Sequence, residues 1–372
     1  MNFTVNSNDM LKGLLIAQKA IPAKTTDPIQ ENYLLDIKGS TLEITGADGE
    51  IMIKTRLEVS STTEEGQAAV PARMMTELLK EIPDQPLVIK TVSESAFLCQ
   101  WVDGESMIPY FNPADYPLPI KPGEGSFTVS LDTDTMGNGI ASTVYASSDE
   151  QNRPVMNSIF FDIKPESTTL VASDLQKLIC FVTDGIKSAE PCSIILNKRH
   201  ANVLKAILPK ENEPLTISFD SKVALISFGQ TDMYCSLVVG KYPDYKTIIP
   251  KNNSNILRMD RSRLLNTVRR IAVCSPKASN HIKFELTPGF LEISAQDLGF
   301  EMAAHEKIAC TYEGDELVIG FKSTHLVDIL SNIASESIIM KFADRRRSIL
   351  ILPDDEASSQ QIFGIVMPIM VK

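Results

Sequence analysis

Residues 70–82 read VPARMMTELLKEI, residues 195–207 read ILNKRHANVLKAI, and residues 321–333 read FKSTHLVDILSNI. The second stretch follows the first at a shift of 125, and the third follows the second at a shift of 126. Each opens on an apolar residue, passes through a basic or polar turn, and then sets apolar residues at helical spacing: Leu78 and Ile82; Leu204 and Ile207; Leu326, Ile329, Leu330 and Ile333. Each is followed by a strand-like run, Leu87-Val88-Ile89, Leu215-Thr216-Ile217 and Ile338-Ile339-Met340. Self-similarity at a long, nearly constant period marks a repeated structural unit.

Working outward, Phe3-Thr4-Val5 recurs 124 residues later as Phe127-Thr128-Val129, each before a helix-like segment. Between the two helices of each unit lies a strand pair ending at an acidic turn: residues 34–50 (LLDIKGSTLEITGADGE), 159–176 (IFFDIKPESTTLVASDLQ) and 282–299 (IKFELTPGFLEISAQDLG), with turn aspartates Asp48, Asp174 and Asp297. Leu42 and Ile44 alternate with Thr41, Glu43 and Thr45, the pattern of an antiparallel strand with one wet face. The unit therefore reads helix, strands, helix, strands, an α+β pattern present three times. Proline-rich joins, residues 112–119 (NPADYPLP) and 241–245 (KYPDY), predict short stiff connectors, because proline fixes φ and biases the preceding residue to extended geometry.

A chain of 372 residues that is 43% hydrophobic has material for two to three cores of ordinary size. No stretch reaches the run of about 20 apolar residues that a membrane-spanning helix needs, and the start MNFTV lacks the plan of a signal peptide. A cytoplasmic protein is expected, with Cys99, Cys180, Cys192, Cys235, Cys274 and Cys310 as reduced core thiols. The net charge of −11 opposes a polyanionic partner only if charge is evenly spread. It is not: residues 261–284 hold Arg261, Arg263, Arg269, Arg270, Lys277 and Lys283 without one Asp or Glu.

Reactive constellations are missing. The four histidines, His200, His281, His305 and His325, show no metal-ligand spacing, there is no C-x-x-C pair, and His200 and His325 read as solvated positions on the second helix of their units. No GxGxxG, GxxxxGK[ST], GxSxG or HExxH occurs. Glu64-Glu65 and Asp354-Asp355-Glu356 read as solvated loops, and Trp101 and Tyr110 as strand residues. The residues thus point to neither catalysis, nor a metal, nor a cofactor.

The triplicated unit, the opening MNFTV, VPAR before a second helix, PADYP and YPDY at the joins, and the tail Val366-Met367-Pro368-Ile369 together resemble the bacterial sliding clamp family, the beta subunits of the replicative DNA polymerase. The resemblance spans the whole chain. It implies three clamp domains, residues 1–122, 123–248 and 249–372, and a ring-shaped homodimer with helices lining a pore and antiparallel sheets outside. It also implies a non-enzymatic, nucleoid-associated processivity factor that encircles duplex DNA without reading its sequence. Diffuse contact of pore cations with phosphates suits that role, since phosphate contacts carry no sequence information and weaken with salt. The cations expected there are Lys12, Lys19, Arg73, Lys80, Lys198, Arg199, Lys205, Arg263, Arg269 and Arg270, with Lys24 and Arg153 in segments similar to the family's DNA-contacting loops.

By the same resemblance, partners dock through short linear peptides in a pocket formed by Met156, Ser173, Leu175, Gln176, Lys177, Leu178, Pro243, Lys246, Ile248, Val366, Met367, Pro368, Ile369 and Met370. Methionines suit a wall that repacks around different ligands. The partners implied are the polymerase alpha subunit, clamp-loader subunits, other polymerases and repair proteins. The chain holds no P-loop, so the ATPase that opens the ring is a separate protein. Ring closure would bring Ile108 of one protomer near Val273 and Cys274 of its partner. The chain departs from the family's frequent T-D-G-H-R-L at the pocket floor, reading Ser173-Asp174-Leu175-Gln176-Lys177-Leu178, and its tail is one residue longer. Leucine in place of glycine should narrow or reshape that subsite. On the residues alone, two other classes stay open: a protein-binding scaffold without DNA, and an enzyme with a site between domains.

Overall fold

The computed structural model describes residues 1–354 and 360–370. Asp355 and Glu356 of the acidic run, and the terminal Val371 and Lys372, lie outside the described residues. The chain divides into two compact units, Met1–Asp134 with Asn202–Leu237, and Thr135–Ala201 with Val238–Lys372.

Among the described residues six α-helices mark the repeat: α1 (Ser7–Ala17), α2 (Ala72–Glu81), α3 (Thr133–Thr143), α4 (Lys198–Ile207), α5 (Arg261–Ala272) and α6 (Ser323–Asn332). The three repeated stretches, residues 70–82, 195–207 and 321–333, are α2, α4 and α6 with the ends of the strands before them. Helix α1 starts where the Asn6 side chain accepts from the backbone N–H groups of Asn8 and Asp9, and α5 starts where Asp260 accepts from Arg263 N–H. In α1 the buried residues Met10, Gly13, Leu14 and Ala17 form one stripe, and in α5 the stripe is Leu264, Leu265, Val268 and Ile271. Facing these stripes inward turns Lys12 on α1 and Arg263, Arg269 and Arg270 on α5 outward.

Among the described residues all strand pairings are antiparallel. In the first unit a five-stranded sheet ends at the edge strand Gly104–Pro109. An eight-stranded sheet in the same unit joins Thr231–Ser236 of the second repeat to Ile51–Glu58 of the first, with Met233 opposite Ile53. The second unit repeats the device: a nine-stranded sheet pairs Lys177–Thr183 with Gln360–Val366, setting Lys177 opposite Val366. Its smaller, four-stranded sheet ends at Met302–Ala309. Compact units therefore do not follow the sequence repeat, because strands of different repeats share one sheet.

The three predicted strand pairs are present, and their aspartates share a task. Asp48 Oδ1 accepts from Glu50 and Ile51 N–H, Asp174 Oδ1 from Gln176 and Lys177 N–H, and Asp297 Oδ1 from Gly299 N–H. Each carboxylate thus closes the turn that reverses the chain after its strand. The proline-rich joins are anchored by tyrosines. Tyr116 hydroxyl donates to the carbonyls of Asn32 and Thr45, and Tyr245 hydroxyl donates to Asp162.

Several expectations need correction. His200 and His325 are buried rather than solvated, because each occupies the inward stripe of its helix. Of the six cysteines, Cys99, Cys180 and Cys235 are core residues, whereas Cys192, Cys274 and Cys310 are half-buried. Glu64 ends the strand Ser61–Glu64 and pairs with the Met1 ammonium at 3.4 Å, so it is not in a loop. Tyr110 lies just past the strand Gly104–Pro109, its hydroxyl donating to Ser93 carbonyl.

Candidate functional site

The second unit contains an apolar pocket with a cavity volume of about 50 Å³. Its walls are Met156, Ser173, Leu175, Gln176, Lys177, Leu178, Tyr242, Pro243, Tyr245, Ile248, Ile365 and Met367. The expected residues Lys246, Val366, Pro368, Ile369 and Met370 are not among these. Val366 is fully buried in the sheet, and Lys246 turns to Asp162 at 2.9 Å. The tail leaves the pocket after Met367: Met367 N–H donates to Gln176 carbonyl, and Ile369 N–H donates to Gly320 carbonyl, which draws Pro368 to Met370 toward the strand Leu317–Lys322. Sequence reasoning missed Tyr242, Tyr245 and Ile365. The two tyrosines were visible in the YPDY join but read only as connector; Tyr242 stacks on Phe160 with centroids 4.8 Å apart.

The pocket floor is a turn between the strands Thr168–Ser173 and Lys177–Thr183. Ser173 Oγ accepts from Leu175 N–H and donates to Lys177 carbonyl, while Asp174 takes the next two N–H groups. This geometry sets Leu175 at φ +75°, the left-handed region that disfavours a leucine, with its side chain 52% exposed at the pocket wall.

Behind the floor lies a polar cluster. Lys177 is only 8% exposed, and its ammonium sits 2.7 Å from Asp328 and 3.4 Å from Asp174. His325 Nε2 is 3.6 Å from Asp174. Burial pushes the His325 imidazole down to about 4, although the Asp174 charge pulls the other way, so the ring is neutral near pH 7. Burial would raise the carboxyl of Asp162, the partner of Tyr245, but hydrogen bonds from Lys246 and Tyr245 hold it below the usual carboxylate range.

The structure places most of the expected DNA-facing cations on solvent-facing positions: Lys12, Lys19, Lys24, Arg73, Lys80, Arg153, Arg199, Lys205, Arg263, Arg269 and Arg270 are exposed, and Lys198 is half-buried. Several have an acid at hand, Lys12 with Asp9, Arg73 with Glu77, Arg153 with Glu150, and Lys198 with Asp149. The acid-free run of residues 261–284 is acid-free only along the chain. Glu306, from the strand Met302–Ala309, reaches Arg270 at 2.6 Å, and the Arg270 guanidinium beside it holds the Glu306 carboxyl below its ordinary range. Arg269 instead donates to Ser331 Oγ.

Of the residues expected at ring closure, Val273 is 74% exposed and Cys274 half-buried just past α5, but Ile108 is fully buried in the first unit's core. The edge strand that carries Ile108 exposes its neighbour Met107 instead. Among the described residues no three His, Cys, Asp or Glu side chains cluster as a metal site, and no helix is long and apolar enough to cross a membrane.

Family models of the DNA polymerase III beta subunit match three consecutive segments: the N-terminal domain over residues 1–119, the central domain over 130–244, and the C-terminal domain over 246–369. The chain is 26% identical over 369 residues to the beta sliding clamp of Pseudomonas putida, covering 99% of each. It is 27% identical over 370 residues to that of Escherichia coli strain K12, again covering 99% of each. Among solved structures, the DnaN sliding clamp of Pseudomonas aeruginosa bound to griselimycin superposes with a TM-score of 0.95 at 25% identity over 100% of both chains. The DNA polymerase III beta subunit of Thermotoga maritima shares the fold, with a TM-score of 0.91 at 23% identity over 100% of both.

Proposed function

The chain belongs to the DNA polymerase III beta subunit family, the beta sliding clamps, and from that membership we propose how its own residues serve a non-catalytic processivity factor. Two copies close head to tail into a ring around duplex DNA, with clamp domains bounded at residues 1–122, 123–248 and 249–372. The outer edges of the strands Gly104–Pro109, which carries Met107, and Met302–Ala309, together with Val273 just past α5, supply the surfaces that meet, which removes the liability of an exposed sheet edge. The exposed cations of α1, α2, α4 and α5, with Lys19, Lys24, Arg153 and the half-buried Lys198, face the phosphates and hold DNA loosely enough to slide.

The apolar pocket receives linear peptides of the replicative polymerase alpha subunit, of clamp-loader subunits, and of other polymerases and repair proteins, in the cytoplasm at the nucleoid. The observation that carries this reading is that nine residues expected at a peptide pocket, far apart in sequence, line one apolar cavity: Met156, Ser173, Leu175, Gln176, Lys177, Leu178, Pro243, Ile248 and Met367.

The test is retention on circular against linear duplex DNA, after loading by the cognate ATP-driven loader, at moderately high salt. Retention on circles with escape from linear ends is the expected result. Equal loss from both, with a monomeric mass, would overturn the ring and leave a scaffold.

A further inference from the structure

Beside the apolar pocket, and sharing Ile248 and Met367 with it, lies a second cleft whose charged side chains are Lys246, Lys251, Arg346 and Arg347. All four are exposed. The two arginines come from the run Arg345-Arg346-Arg347 in the bend between the strands Ser337–Phe342 and Ile349–Pro353. That bend is built rather than loose. Asp344 Oδ1 accepts from the N–H groups of Arg346 and Arg347, and the Asn253 amide donates to the carbonyls of Lys341 and Ser348 at 2.9 and 3.0 Å, tying both walls together. Two acids draw on these cations, Asp162 on Lys246 and Asp344 on Arg347. In a protein of net charge −11, a cleft with four cations is an exception that uniform surface charge does not explain.

We propose that this cleft receives an acidic segment, Asp or Glu residues flanking the apolar anchors of the peptide that occupies the neighbouring pocket. The inference rests on the reading of that pocket as a peptide site. An extended chain leaving the pocket across Ile248 and Met367 runs directly into the cleft, so carboxylates a few residues from the anchors meet the arginines. Arginine suits this task, since its planar fork matches a carboxylate. Single-stranded nucleic acid is the weaker fit, because such sites pair cations with stacking rings and no aromatic residue lines this cleft.

The test uses the full chain and fluorescein-labelled synthetic peptides that share a Leu-Phe anchor and carry either four glutamates or four glutamines on each side. Fluorescence anisotropy should give about five- to tenfold tighter binding for the glutamate peptide at low salt, an advantage that fades as salt screens it. The double variant R346A/R347A should erase that advantage while the glutamine peptide binds as before; both positions are exposed bend residues outside the core, and a melt by circular dichroism checks the fold. Equal affinity of the two peptides for the wild type would overturn the proposal, as would an equal loss of both in the double variant. Binding of neither peptide would instead overturn the pocket reading, and the proposal with it. A twelve-thymidine single strand that displaces the glutamate peptide, and binds only when the arginines are present, would make the cleft a phosphate site and overturn the acidic-peptide assignment.

Discussion

At Leu175 a left-handed backbone costs an L residue about 1–2 kcal/mol, and the Ser173 and Asp174 side chains impose it by taking three successive N–H groups. Glycine would relieve that cost but return about 0.5–1 kcal/mol of freedom to the unfolded chain. Leu175→Gly is therefore expected to melt close to the wild type while altering peptide affinity through a wider pocket wall. Leu175→Val, β-branched and worse in this region, should lose about 1–2 kcal/mol in urea unfolding; equal stability of Val and Leu would mean the turn is not left-handed in solution. His325 gives a pH signature. The unfolded imidazole binds a proton near 6.5 and the folded one only near 4, so the unfolded chain holds more protons between those values. The contribution is whole above about pH 6.5 and shrinks as pH falls toward 4. His325→Gln should lose less urea stability than the wild type between pH 7 and 4.5, and identical losses would contradict a buried neutral ring. The exchange at the pocket floor was readable as a change of side chain, but neither the φ of Leu175 nor the burial of His325 was. Spacing along a helix names a face only when its apolar residues do, and His325 stands on the inward stripe as a polar member.

Secondary structure and repeat were legible because α2, α4 and α6 carry their apolar residues at one spacing and follow one strand pattern. The choice of strand partner was not. Pairing of Thr231–Ser236 with Ile51–Glu58, or of Lys177–Thr183 with Gln360–Val366, joins residues far apart in sequence, and periodicity names a strand's wet and dry faces but not its neighbour. Since the pocket is assembled on the second of these pairings, its members could be gathered only by resemblance. The packing of helix on sheet offers a sharper check. A Cβ at Gly46 would collide with the Ala17 carbonyl oxygen at the end of α1, a backbone atom that cannot move alone. At Gly13 the nearest atom, 2.9 Å away, is the tip of the Ile44 side chain, and alanine there also gains helix propensity. Gly46→Ala should cost about 2–3 kcal/mol in urea unfolding and Gly13→Ala less than about 1 kcal/mol. The reverse order would place the close approach of α1 and this sheet elsewhere.

Over the whole molecule the net charge of −11 and a DNA partner are reconciled by distribution, yet the structure tempers the argument made from residues 261–284. Glu306 reaches Arg270 from another strand, so a run without acids along the chain is not a field without acids in space. A clamp tolerates this, because linkage by encirclement needs only weak phosphate attraction, whereas it depends wholly on closure. Closure is thus the property to attack. Ile108, buried in the core, would unfold its domain if charged, but Met107 beside it is 60% exposed on the free edge Gly104–Pro109. Met107→Asp is expected to halve the mass in solution, from twice 41.0 kDa to 41.0 kDa, by desolvating a charge in the interface. Retention on circular DNA should vanish in the same variant, while the neutral peptide still binds, since the pocket belongs to the other unit of the chain. Light scattering coupled to gel filtration reads the first effect and peptide anisotropy the last. A dimeric Met107→Asp would move the interface off this edge, and a monomeric wild type would leave the peptide pocket on a scaffold that encircles nothing.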